Sequence, residues 1–247
     1  MPSLIEANNL GIEFNRNRRR RISAREILLQ GRSTAPKGSF WALRNVSFEV
    51  QKGEAVGLVG ANGCGKSTLL KLIAGVMIPD EGQAEIRAGV APLIELTGGF
   101  VGDLTARDNI WLTAGLHGLT RKQIAERFDA IVDFAEIGDF LDTPFRHFSS
   151  GMQVRLGFSV VTTLDEPIVL VDEVLAVGDK RFREKCYIRM EELVSGGRTL
   201  FLVSHSEPDL RRFCTRGLYL RQGELIKDGP IEDTLDAYNV DIGRATK

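Results

Sequence analysis

Apolar and polar positions along the chain switch repeatedly between two periods. Residues 4–14 (LIEANNLGIEF) read as an extended segment with mixed alternation, and NVSFEV at 45–50 alternates as a half-buried strand does. AVGLVG at 55–60 is a continuous apolar run, the pattern of a strand buried on both faces, and GKSTLLKLIAG at 65–75 follows it with helical spacing. Residues 84–94 hold two more short strand candidates. From Thr105 to Asp142 the spacing is helical throughout. Ile124, Phe128, Ile131, Val132 and Ala135 share one face there, and Thr120 with Gln123 forms a capping box. Beyond it, 150–163 predicts a helix, IVLV at 168–171 a buried strand, and 180–195 a charged amphipathic helix. Strand TLFLVS (199–204), helix 206–214, strand 217–221, ELIKDG at 224–229 and a terminal helix near 231–239 complete the chain. Strands that alternate with helices predict an α/β fold with parallel strands. A helical block is inserted between the first glycine-rich loop and the later strands, and no internal repeat is present.

Composition narrows the class. At 247 residues, with 43% hydrophobic and 26% charged, the chain is long enough for a sizeable core and is not a disordered sequence. Cys64, Cys186 and Cys214 are odd in number, widely spaced and without a CxxC pair, which argues against zinc ribbons and disulfide scaffolds. No apolar run reaches membrane-spanning length, and MPSLIEANNL lacks the pattern of a signal peptide, so a cytoplasmic address is expected. The formal net charge is −1, but it is unevenly placed. Residues 15–39 (NRNRRRRISAREILLQGRSTAPKGS) hold seven Arg, one Lys and one Glu, a local charge of +7. Within this stretch SAREILLQ fits a short helix capped by Ser23, ended by Gly31, and followed by a linker-like STAPKGS. The run has no interleaved aromatic residues for base stacking, so nucleic acid is not the expected partner.

Two motifs carry candidate chemistry. Gly60-Ala61-Asn62-Gly63-Cys64-Gly65-Lys66-Ser67-Thr68 fits GxxxxGK[ST] between an apolar strand and a helix, the context in which backbone N–H groups cradle phosphates. Lys66 suits the β- and γ-phosphates of ATP, and the Ser67 hydroxyl suits Mg²⁺. About 105 residues later, Ile168-Val169-Leu170-Val171-Asp172-Glu173 is a buried strand ending in two carboxylates. Asp172 suits Mg²⁺, and Glu173 suits a general base that activates water.

Between them lies Phe148-Ser149-Ser150-Gly151-Met152-Gln153-Val154-Arg155-Leu156. This segment resembles the LSGGQ signature of ABC transporter ATPases, with Ser149 and Gly151 matching, Ser150 and Met152 departing, and Arg155 matching the downstream Arg. The resemblance covers essentially the whole chain. It implies a single nucleotide-binding domain with a RecA-like P-loop core, an antiparallel β subdomain, and an α-helical subdomain over roughly 96–163. It also implies a head-to-tail homodimer in which Ser149, Ser150 and Gly151 of one subunit engage the γ-phosphate held by the other. Ala176-Val177-Gly178-Asp179 stands at the D-loop, and His205 matches the switch histidine, whereas His117 and His147 read as structural. Phe14 resembles the aromatic residue that stacks on adenine, with Trp41 as its competitor. The usual Q-loop glutamine is missing, and its place falls on Glu95 or Leu96, of which Glu95 would supply an oxygen ligand to Mg²⁺.

Three features resemble one branch, the ATPases that export O-antigen, teichoic acid, capsule or galactan as lipid-linked polysaccharides. They are LIELTGGF at the Q-loop, VDEVLAVGDKRFREKC around the acid pair, and the insert before FWALRNVSFEV. The resemblance implies an integral membrane permease encoded separately and a place on the cytoplasmic face of the membrane. It also implies that the insert forms a short helix where the glycan enters. A basic segment would gain affinity for anionic lipid and lipid pyrophosphate, although a solvated loop is the plainer reading of the same residues. The C-terminal carbohydrate-binding domain of some members is not expected here. The alternative readings are a drug or lipid transporter ATPase and a non-transport ABC ATPase; the latter is disfavoured by one cassette and no heptad run.

Overall fold

The computed structural model describes residues 3–15, 38–94, 98–172 and 179–245. Among the described residues, nine strands fall in two sheets. Strands β1 (Ser3–Asn15), β2 (Ser39–Gln51) and β4 (Glu81–Ile86) form an antiparallel sheet in the order β2-β1-β4. The other six run β5-β6-β7-β3-β8-β9: β3 (Ala55–Val59), β5 (Val90–Leu93), β6 (Ile168–Asp172), β7 (Thr199–Val203), β8 (Arg216–Arg221) and β9 (Glu224–Pro230). Its pairings are parallel except β8 with β9. The parallel expectation therefore holds for the larger sheet, and the antiparallel strands make the separate β subdomain that the resemblance implied.

Period-2 alternation in the central strands builds two cores, one on each face. Val169, Val171, Leu200 and Leu202 pack on one side with Phe158, Phe182, Met190 and Phe213. Leu170, Phe201 and Val203 pack on the other with Leu10, Val46 and Phe48 of the small sheet. Helix α1 (Lys66–Ile73) lies in this second core through Leu69, Leu70 and Ile73.

Helices α2 (Ala106–Leu116), α3 (Arg121–Ala135) and α4 (Ser150–Thr163) enclose a third cluster that includes Ile110, Ile124, Ile131, Phe145 and Phe148. Thr105 and Thr120 cap α2 and α3, the latter through the full capping box. The helical reading of 105–142 is interrupted. Gly118 takes φ +85° between α2 and α3, and after α3 only a short 3₁₀ turn at Gly138–Phe140 remains helical. On α3, Phe128 is half-buried and stacks on Trp111, while the other four apolar residues are buried.

Helix α4 serves two cores at once, with Leu156 and Val160 in the helical cluster and Phe158 and Val161 in the main one. Helices α5 (Lys180–Ser195), α6 (Glu207–Phe213) and α7 (Ile231–Ala245) complete the chain, the last running beyond the expected 239. No helix among the described residues is long and apolar enough to cross a membrane. The basic stretch from 16 to 37, including the candidate helix SAREILLQ, lies outside the described residues.

Candidate functional site

The glycine-rich loop leaves β3 at Val59 and closes on itself. Gly60 takes φ +154°, Gly63 +77° and Gly65 +112°, and the Cys64 N–H donates to Ala61 O at 3.2 Å. Gly65 is the N-cap of α1, and no side chain caps that helix. The amides of its first turn are therefore the donors that a phosphate would take. Lys66 folds back across the loop, its Nζ donating to Gly60 O at 2.7 Å and to Ala61 O at 3.3 Å, and the residue is only 7% exposed. Burial pushes the Cys64 thiol up against a smaller opposing pull from Lys66, so the thiol stays protonated and unreactive near neutral pH.

A Cβ on Gly65 would stand 2.4 Å from Ala42 O, on top of the strained φ. Gly65→Ala is therefore expected to cost at least about 1–3 kcal/mol from backbone strain alone, measured by urea unfolding, and to open the loop.

The loop faces a cavity of about 280 Å³. Asn62, Gly63 and the start of α1 form one wall; Phe14, Phe40 and Ala42 form the other. Phe14 and Phe40 are cross-strand partners with ring centroids 5.8 Å apart. Trp41 pairs with Glu13, lies over Gly11 and carries Arg44 above its ring, so it stands away from the cavity wall. Phe40 is a cavity residue that the sequence reading missed. The β1–β2 register was the signal that would have found it.

Strand register collects the other groups at the same sheet edge. Asp172 is paired with Val203, and Val203 with Leu58, just before the loop. Two strand spacings put the Asp172 and Leu58 backbones about 10 Å apart. His205 is exposed two residues beyond Val203, between β7 and α6, just past the end of the strand that separates β6 from β3. The Ser67 hydroxyl and the Asp172 carboxylate are hard oxygen donors, the donor set that suits Mg²⁺. No cluster of three or more His, Cys, Asp or Glu fit for a metal occurs among the described residues.

Ser149 caps α4, its Oγ accepting from the Met152 N–H at 3.2 Å, and Ser149 and Ser150 are exposed. One turn further on, Arg155 lies over the Phe182 ring. It donates to Glu136 Oε2 at 2.8 Å and pairs with Asp179, the N-cap of α5. The Phe182 N–H, then Arg155, hold the Asp179 carboxyl below its ordinary range. Lys185 holds Glu136 low from the other side, at 2.9 Å.

The family model described as ABC transporter matches residues 43–176. The chain belongs to the ABC transporter family. The O-antigen export system ATP-binding protein RfbB of Klebsiella pneumoniae is 43% identical over 211 residues, 85% of this chain and 83% of that protein. The teichoic acids export ATP-binding protein TagH of Bacillus anthracis is 44% identical over 199 residues, 81% of this chain but 36% of that longer protein. Among solved structures, an ATP-binding subunit of an ABC transporter superposes with a TM-score of 0.76 at 24% identity, covering 98% of this chain and 100% of that one. A dimeric post-hydrolysis ATP-binding cassette, MJ0796 with ADP and Pi, gives 0.72 at 20% identity, covering 92% and 98%. At these identities the structures speak for the fold.

As an ABC ATPase, the chain has positions of interest that the described residues do not reach. Glu173, the D-loop candidates Ala176, Val177 and Gly178, and Glu95 with Leu96 lie outside them. His117 closes α2 as its C-cap, and exposed His147 accepts from Arg146 Nε at 3.3 Å. The link from Arg155 to Glu136 and Asp179 was not legible in sequence, because its partners lie 19 and 24 residues away.

Proposed function

We propose that this ABC ATPase drives export of a lipid-linked polysaccharide, of O-antigen, teichoic acid, capsule or galactan type, across the cell membrane. The observation that carries the cargo class is the similarity to O-antigen and teichoic acid export subunits over four-fifths or more of the chain. In this reading two copies pair head to tail on the cytoplasmic face beneath a separate integral membrane permease. An apolar groove of about 200 Å³ beside the Glu95 segment, lined by Val76, Pro92, Ile94 and Phe100, supports a permease contact there. Val76, in its lining, is 72% exposed. The positive charge of the basic insert suits an anionic leaflet and a lipid pyrophosphate.

The mechanism follows from the site. The amides of Gly63, Gly65 and the first turn of α1, with Lys66, hold the β- and γ-phosphates. Phe14 stacks on the base, and Asn62, Cys64 and Thr68 complete the loop around the phosphates. Ser67 and Asp172 would hold Mg²⁺, with Glu95 as a further oxygen ligand, and the ion would supply charge neutralisation at the phosphates. Glu173 takes the proton of the attacking water, and His205 holds that water and the γ-phosphate in line. Ser149, Ser150 and Gly151 close on the γ-phosphate from the partner subunit. Among the described residues a Cβ on Gly151 would meet only Ser149 Oγ, at 3.9 Å, so none of them demands a glycine there. Close approach by a second molecule would.

Two substitutions at Ser149 separate its structural role from its functional one. Ser149→Ala loses the cap, with an expected cost of about 1 kcal/mol by thermal unfolding and a loss of turnover. Ser149→Asp keeps the cap but sets a carboxylate against the γ-phosphate, so stability is retained while ATP-driven dimerisation fails. Wild-type dimerisation in Ser149→Asp would remove the signature from the phosphate site. The reading as a whole is tested by tagging the Glu173→Gln variant, solubilising membranes in mild detergent and identifying what co-purifies. A polytopic permease with prenyl-pyrophosphate glycan is expected. Recovery of ribosomes or DNA, with no permease, would discard transport.

A further inference from the structure

We propose that Phe40 is a second nucleobase-contacting residue, so that the base is held by the Phe14–Phe40 pair and not by Phe14 alone. The inference rests on reading the 280 Å³ cavity as the ATP site. Antiparallel register sets Phe14 opposite Phe40 on the same face of the sheet, while Trp41 and Glu13 form the next pair. The two rings are tilted by 32° at a centroid distance of 5.8 Å, and both line the cavity. Both are unusually exposed for phenylalanine, Phe14 at 38% and Phe40 at 43%, whereas Phe48 on the same strand is 5% exposed. A planar base stacked on one ring would meet the other within the 4.5–7 Å centroid range at which aromatic groups attract, and would cover apolar surface on both.

The chemistry of this wall also sets specificity. Among the described residues, its side chains are Phe14, Phe40 and Ala42, which carry no hydrogen-bonding atom. Recognition by stacking tolerates any base with a large π-face. Stacking on this pair is therefore expected to hold purine triphosphates, with their larger π-face, more tightly than pyrimidine ones.

The test is calorimetric titration of the full-length chain with ATP, GTP and inorganic tripolyphosphate, each with Mg²⁺. Wild type, Phe40→Ala, Phe40→Trp and Phe14→Ala are compared. Phe40→Ala is expected to weaken ATP and GTP about 5- to 20-fold and to leave tripolyphosphate within twofold, with Phe40→Trp close to wild type. Unchanged ATP affinity in Phe40→Ala would overturn the proposal. So would equal weakening of ATP and tripolyphosphate, because the ring would then be propping the loop and not touching a base. If the wild-type chain bound neither ATP nor tripolyphosphate, the reading of the cavity itself would fall, an outcome separate from both. Thermal unfolding within a few degrees of wild type shows that the exposed-site variants are folded, and Phe40→Leu supplies an intermediate step if the alanine variant is not.

Discussion

Lys66→Ala is expected to lower ATP turnover by about 100- to 1,000-fold, the loss typical of removing one preorganised donor from a developing phosphate charge. An ammonium has three N–H donors. Two are spent on Gly60 O and Ala61 O, which leaves one for a phosphate oxygen. The group is nearly closed off from water, so its charge acts through a lower dielectric than a surface lysine's would. Those two carbonyl contacts also fix where the charge stands before ATP arrives, so little reorganisation is left to the bound state. Lys66→Arg is expected to fail as well, because a planar fork does not fit a niche shaped around a single ammonium. ATP and tripolyphosphate affinity should fall together in both variants, which sets them apart from Phe40→Ala. A Lys66→Ala variant that binds tripolyphosphate as wild type does would remove Lys66 from the phosphate site.

Legibility in the sequence followed the range of the interactions. The loop from Gly60 to Thr68 was readable because its strand, glycines, lysine and helix are contiguous. The unbroken apolar run at 168–171 marked a strand buried on both faces, and the capping box at Thr120 marked the start of α3, for the same reason. The small sheet was not readable as such. β1 pairs with β2 across the basic stretch and with β4 some seventy residues further on, and β4 (EGQAEI) has almost no apolar alternation to announce it. Phe40 was hidden with it, because only the β1–β2 register separates Phe40 from Trp41. The break between α2 and α3 was masked by apolar spacing that continues through Gly118, where a left-handed residue turns the chain. Arg155 could be matched to a motif, but its ties to Glu136 and Asp179 depend on how α3, α4 and α5 meet. Those ties join the second turn of α4 to the N-cap of α5.

Glu173→Gln is expected to keep ATP affinity within about threefold of wild type while turnover drops about 100- to 10,000-fold, the range for loss of a positioned general base. The amide matches the carboxylate in size and can still accept a hydrogen bond, but it cannot take a proton from water. Binding rests elsewhere, on the loop amides and Lys66, which the substitution does not touch. Asp172, one residue earlier, ends β6 level with Val203. β6 thus ends at the sheet edge from which the glycine-rich loop and His205 also emerge. If two copies close over ATP and hydrolysis opens them, a chain that binds but cannot hydrolyse should accumulate as the closed pair. Size-exclusion chromatography with Mg-ATP should then show dimer for Glu173→Gln, monomer for Lys66→Ala, and a mixture that decays with turnover for wild type. Turnover near wild type would move the base to another residue. Lost turnover with no ATP-dependent dimer would leave Glu173 as the base and remove the coupling of hydrolysis to closure, so the two measurements separate the chemical step from the motion it is proposed to drive.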